Sequence, residues 1–194
     1  TQRGLVRPYK RTFNVYTKLD GLAGNEISIV FQDSQGTVWI GSYENGLTRL
    51  KNGKFEHITS RDGLHDNGIY SILEDSRGYF WIGSKTGIFS VSRNALNAFL
   101  DTGKKEHRKK IVCRYYDEDD GMASAQCKGD STKPGAIIAD DGSFWFLTTR
   151  GVIMLNPSKF KQTSSPPPVK IESVKVDNAV VDLSAAASYT PGVK

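Results

Sequence analysis

Hydrophobic and polar positions alternate along the chain in short runs. Ile27–Gln32 and Ile69–Glu74 carry the pattern, and so do the aromatic-bearing runs 37–42 and 79–84. A period of two over five or six residues predicts β-strands, because successive side chains on a strand point to opposite faces. Between the members of each pair stands a four-residue turn, Asp33-Ser34-Gln35-Gly36 and Asp75-Ser76-Arg77-Gly78. Asp at the first place can accept backbone N–H groups, and Gly at the fourth tolerates positive φ, so each turn predicts a hairpin. A Gly and a third short run follow each hairpin, and a fourth run, Lys54–Ile58, completes a predicted four-stranded antiparallel sheet.

The pattern repeats. Phe13 aligns with Phe55, Asp20 with Asp62, Asn25 with Asn67, Asp33 with Asp75 and Trp39 with Trp81, each 42 residues apart (81 less 39). A period in the forties belongs to propeller blades or helical solenoids, and strand patterning with turn punctuation selects blades. A third copy is stretched: Asp120-Gly121-Met122 follows Asp62-Gly63-Leu64 by 58 residues, and Trp145 follows Trp81 by 64. The first added stretch contains 92–100, SRNALNAFL, in which Ala95, Leu96, Phe99 and Leu100 fall at helical spacing behind Ser92 as a cap. That predicts a short surface helix, followed by a basic loop. The third copy also has Ala139 in place of the turn Asp, with Asp141-Gly142 keeping the turn, and Leu147 in place of Gly41 and Gly83.

Composition narrows the picture without redirecting it. The 194 residues are 38% hydrophobic and 24% charged, with 19 Gly, 8 Tyr, 9 Phe and 3 Trp, which suits a globular, turn-rich chain and argues against disorder. The net charge of +5 is concentrated in Lys104, Lys105, His107, Arg108, Lys109 and Lys110. One such run reads as a solvated loop, since nucleic-acid binding asks for basic residues spread over a face with a reading motif. No stretch of about 18 apolar residues and no leader pattern is present. Cys113 and Cys127 are too few for a disulfide framework or a zinc site; they form either one bridge or two small core residues, the second favoured.

The words GLAGNEISIVFQDSQGTVWIGS and GLHDNGIYSILEDSRGYFWIGS closely resemble the two-component regulator propeller repeat. The third copy, followed by PPPVKIESVKVDN, is similar to the last blade of that sensor family and the start of the Tyr-rich β-sandwich after it. The resemblance implies an all-β chain: a β-propeller fragment over 1–161, a Pro-rich linker at 162–168, and the first strands of a truncated β-sandwich at 169–194. Within the propeller it implies an outer strand of a preceding blade at 9–17, a blade at 25–59, a blade at 67–117 with the insertion 92–110, and the last blade at 120–157. Two units and a partial third cannot close a ring of about 4 to 8 blades, so further sequence is expected to meet the open edges.

In function the resemblance implies the periplasmic, ligand-sensing and signal-transmitting part of a bacterial receptor whose output is a histidine kinase or a diguanylate cyclase. The ligand is an oligosaccharide in some members. Implied partners are a small ligand and the rest of the receptor chain, with a homodimer left open, no nucleic acid, and membrane contact only through segments outside this chain. A propeller-fold polysaccharide or antibiotic lyase is the competing reading, but it needs a His, Tyr or Arg cluster that the sequence does not present. No catalytic residue, metal or cofactor is assigned.

For the ligand, positions that recur in every copy are poor candidates. Asp20, Gly21 and Asn25, with Asp62, Gly63 and Asn67, read as loop-shaping residues, and Trp39, Trp81 and Trp145 as packing between blades. A ligand site depends on what differs between blades, which selects the lengthened third loop: Gln126, Lys128, Asp130, Ser131 and Lys133.

Overall fold

The computed structural model describes residues 4–102, 109–129, 134–160, 174–176 and 179–181. The chain divides into two compact units, Thr1–Lys159 and Phe160–Lys194.

In the first unit the alternating runs form antiparallel sheets. A hairpin of β1 (Leu5–Tyr9) and β2 (Thr12–Tyr16) comes first. Next is a four-stranded sheet of β3 (Ile27–Gln32), β4 (Val38–Ser42), β5 (Leu47–Lys51) and β6 (Lys54–Ile58), ordered as in the sequence. A second consists of β7 (Ile69–Glu74), β8 (Tyr79–Ser84), β9 (Ile88–Ser92) and β10 (Arg114–Tyr116), with helix α1 (Arg93–Asp101) inserted between β9 and β10. The third sheet has three strands among the described residues: β11 (Ala136–Ile138), β12 (Phe144–Thr148) and β13 (Gly151–Leu155). The second unit contributes β14 (Val174–Val176) paired with β15 (Ala179–Val181). The predicted linker 162–168 lies outside the described residues.

The sheets of the first unit are blades of a β-propeller. Sequence patterning finds β2 but not β1, although Gly4-Leu5 stands 42 residues before Gly46-Leu47 and both glycines have positive φ. The turn Asn52-Gly53 between β5 and β6 has both residues at positive φ, the conformation a two-residue hairpin requires. Ser92 caps α1, its hydroxyl accepting the Ala95 N–H at 3.3 Å, and Leu96, Phe99 and Leu100 face inward.

Neighbouring blades meet through a repeated seam. Asp33 accepts the N–H groups of Gln35 and Thr37 at 2.9 and 2.8 Å and the Trp39 indole N–H at 2.9 Å. Asp75 accepts from Arg77 N, Tyr79 N and the Trp81 indole at 2.9, 3.0 and 3.2 Å. One carboxylate thus closes the turn and fixes an indole on the sheet face. The next blade lays a Phe edge-on against that indole: Phe80 on Trp39, with centroids 5.3 Å apart, and Phe144 on Trp81, 6.4 Å apart. Apolar side chains from β7, β8 and β9 bury themselves against Trp39 and Leu47 in one core.

The third blade departs from this arrangement in a way the sequence reading did not anticipate. With Ala139 in the Asp place, Asp141 accepts Ser143 N and Oγ at 2.9 and 2.6 Å, and Ser143 Oγ accepts the Trp145 indole at 2.8 Å. Among the described residues Trp145 is 39% exposed, against 0% for Trp39. Among the described residues no further sheet covers its face, and Leu147, Val152 and Met154 are exposed beside it. The glycine position differs in the same way. A Cβ at Gly41 would come within 2.7 Å of Ile69 in the next blade, and one at Gly83 within 3.2 Å of Phe146, whereas the Leu147 side chain stands on the uncovered face.

Candidate ligand site at the loop end of the blades

Each connection from an outer strand to the next inner strand begins with a 3-10 turn: Lys18–Asp20, Ser60–Asp62 and Glu118–Asp120. Each is closed by a capping box in which the Asp carboxylate receives the cap backbone N–H: Asp20 from Thr17 at 2.8 Å, Asp62 from Thr59 at 2.9 Å, Asp120 from Asp117 at 3.2 Å. Gly21, Gly63 and Gly121 follow with φ near +100°. Asn25 and Asn67 accept Lys18 N and Ser60 N, both at 2.8 Å. The recurrent Asp and Asn therefore spend polar atoms on the loop backbone.

The third connection is pinned at two places. Lys128 N donates to Leu147 O at 2.7 Å, and Leu147 N donates to Gly135 O at 2.9 Å, so 128 and 135 sit on either side of one residue of β12. Gln126 O accepts Thr149 N at 3.0 Å, and Cys127 N donates to Ser84 O at 3.0 Å, tying the loop to both blades. The Gln126 and Lys128 side chains are exposed. Asp130, Ser131 and Lys133 lie outside the described residues.

Beside Lys128 the structure places residues that sequence reasoning missed. Gly129 backs directly onto Tyr70: a Cβ there would lie 2.4 Å from the Tyr70 carbonyl oxygen. Tyr70 occupies the register shift between Ile69 and Ser71, and its ring lies 5.9 Å from that of Tyr43 at 49°. In the preceding blade the corresponding bulge residue is Ser28, whose hydroxyl donates to Ile69 O. Neither phenol hydroxyl of Tyr43 and Tyr70 has a hydrogen-bond partner among the described residues. Burial raises the Tyr70 phenol, and the negative charges of Asp66 and Glu44 raise it further, so it stays protonated and can donate.

Asp66 and His65 complete this end of the blade. Burial pushes the Asp66 carboxyl up, but donors from Gly68 at 2.9 Å and from Thr86 N and Oγ1 at 3.0 and 2.7 Å outweigh it and hold it below the usual carboxylate range. His65 stacks on Tyr115 with centroids 4.5 Å apart and planes 10° apart, and burial lowers its pKa despite nearby Asp66 and Asp117. The signal for these residues was present: Tyr70 against Ser28, Tyr43 against Lys85, Asp66 against Gly24 and His65 against Ala23 all differ between aligned copies. Comparing only the longest loop passed over them.

Cys113 and Cys127 are not bonded to each other, and burial pushes both thiols up to about 11. Among the described residues, no cluster of His, Cys, Asp or Glu is arranged to hold a metal ion. No described helix is long and apolar enough to cross a membrane.

Residues 21–44 and 63–86 match the family model described as two component regulator propeller. Two solved structures of the extracellular domain of BT4673 from B. thetaiotaomicron are similar, one described as a one component system and the other as a hybrid two component system. Both are 20% identical, with TM-scores of 0.63 and 0.62 over 81% and 96% of this chain, which shows a shared fold. The chain covers 22% and 23% of their lengths. No curated protein matches it.

Proposed function

Because the chain carries two repeats of the two component regulator propeller family, we propose that it is part of the extracytoplasmic, periplasmic sensor region of a bacterial transmembrane receptor, binding a ligand at the loop end of its blades. The observation that carries this reading is the Tyr43–Tyr70 pair beside Lys128, formed by residues that vary between otherwise repeated blades. Two partly exposed rings with free hydroxyls, an amide at Gln126 and an ammonium at Lys128 suit an oligosaccharide, which offers C–H faces for stacking and hydroxyls for hydrogen bonds. Asp66, already engaged by Gly68 and Thr86, belongs to the scaffold of this end of the blade.

In this reading, transmission inside the first unit runs through Arg77. Arg77, on the hairpin of the second blade, donates to Asp75 at 2.8 Å and to Pro157 O at 2.9 Å, in the turn that ends the unit. A shift of that blade therefore reaches the point where the chain leaves the propeller. A two-component output, the kind of system the hybrid relative is described as, is the output we favour over a cyclase.

The test is reporter output from the intact receptor in cells. Tyr70→Ala combined with Lys128→Ala leaves receptor abundance unchanged and lowers the ligand-dependent response by about tenfold, the loss of one or two good contacts. An unchanged response removes this end of the blades as the site.

A further inference from the structure

Helix α1 is an addition to one blade only, and it is held against its neighbour by two buried arginines. Arg49 of β5, 2% exposed, donates to Asn97 Oδ1 at 2.7 Å and to Asp101 Oδ1 at 2.6 Å. Arg93, at the start of the helix, bonds Glu74 and donates to Ser34 Oγ at 2.6 Å. Desolvation offsets much of the Coulomb gain of such pairs, so their main effect is to fix where the helix sits.

The helix placed there makes one wall of a cavity of about 560 Å³. Phe99 and Leu100 line it on the helix side, Phe55 and His57 of β6 line it on the blade side, and Arg61 and Lys110 also border it. That volume is in the range that accepts a small organic molecule. Its charges are unbalanced. The acidic residues at the wall are already engaged: Glu56 accepts Arg49 Nη2 at 2.6 Å and Lys54 Nζ at 2.7 Å, and Asp62 accepts Thr59 N and Oγ1, both at 2.9 Å. Arg61 and Lys110, both exposed, make no ion pair or hydrogen bond with the described residues.

We propose that the groove between α1 and β6 is a second binding site, for a small organic anion with an apolar body, its carboxylate or sulfate held by Arg61 and Lys110 and its hydrocarbon part against Phe55, Phe99 and Leu100. The site is independent of the loop-end reading and does not require it. Insertions in repeat folds commonly build binding surfaces. Here the insertion supplies the apolar wall and the core blade supplies the facing strand.

The experiment is a titration of the ¹⁵N-labelled full chain with 4-phenylbutyrate, phenyl sulfate and the neutral 4-phenylbutanol, followed by amide chemical shifts. Either anion moves the amides of Phe55, His57, Arg61, Phe99 and Lys110, with a Kd of about 0.1–1 mM. Binding by only one of them assigns the acid group. The alcohol binds at least about fivefold more weakly, and Arg61→Ala with Lys110→Ala reduces anion affinity by a similar factor that shrinks at high salt. Equal affinity for the alcohol, no loss in the double variant, or shifts confined to other parts of the chain each overturns the proposal.

Discussion

The first full blade and the third sheet use the same strand plan and differ in what lies against the tryptophan. Trp39 is covered by Phe80 and anchored by a buried Asp33, whereas Trp145 faces outward and is anchored through Ser143. The Gly41 position follows suit, Gly where the next inner strand closes in and Leu147 where nothing does among the described residues. A repeat therefore keeps its turn chemistry for its own sake and its seam residues for the sake of the neighbour. In the third blade the turn closes by another route, through Asp141 and Ser143.

The comparison can be broken first at the indoles. Trp39→Ala should cost about 3–5 kcal/mol in urea unfolding, since it empties a packed seam, while Trp145→Ala should cost about 1 kcal/mol. Equal losses would mean that both faces are packed alike.

The carboxylate comes next. Asp75→Ala leaves the Trp81 indole and two turn N–H groups without their acceptor and should cost about 2–3 kcal/mol at pH 7. Burial works to raise the Asp75 carboxyl, but Tyr79 N, Arg77, Trp81 and Arg77 N outweigh it and hold it below its ordinary value. A carboxyl depressed in the folded state contributes stability above its unfolded pKa of about 3.9 and loses that contribution as pH falls through its folded value. The gap between wild type and Asp75→Ala should thus narrow below about pH 4. A gap constant down to pH 2 would show that the charge is not what Asp75 supplies.

The smallest effects sharpen the glycine contrast. Gly41→Ala pushes a methyl into Ile29 and Ile69 and should cost about 1–2 kcal/mol, while Leu147→Ala, trimming an exposed side chain, should stay within about 0.5–1 kcal/mol.

Much of the fold was legible because it is written locally and largely repeated. Asp-x-x-Gly turns, period-two strands and the Ser92 cap each act within a few residues, so sequence alone places β3 to β9 and α1. β1 escaped because its run, Leu5-Val6-Arg7-Pro8-Tyr9, alternates poorly and contains Pro; only its distance from β5 marks it. The exposure of Trp145 escaped for another reason: burial of a seam residue depends on the next blade, and no local pattern reports whether one is there. At the candidate site, Gln126 and Lys128 were legible as departures from the repeat. Tyr70 joins them only through a β-bulge, whose turning of the side chain no spacing rule shows, and through the close approach of Gly129.

The seam is the central claim, and fluorine NMR of the 5-fluorotryptophan-labelled chain tests it most directly. Three tryptophans give three resonances, assigned by single Trp→Phe replacement. A soluble paramagnetic agent should broaden the Trp145 signal strongly while sparing Trp39 and Trp81. Uniform broadening of all three, or protection of Trp145 together with the others, would contradict the stacking of blades described above.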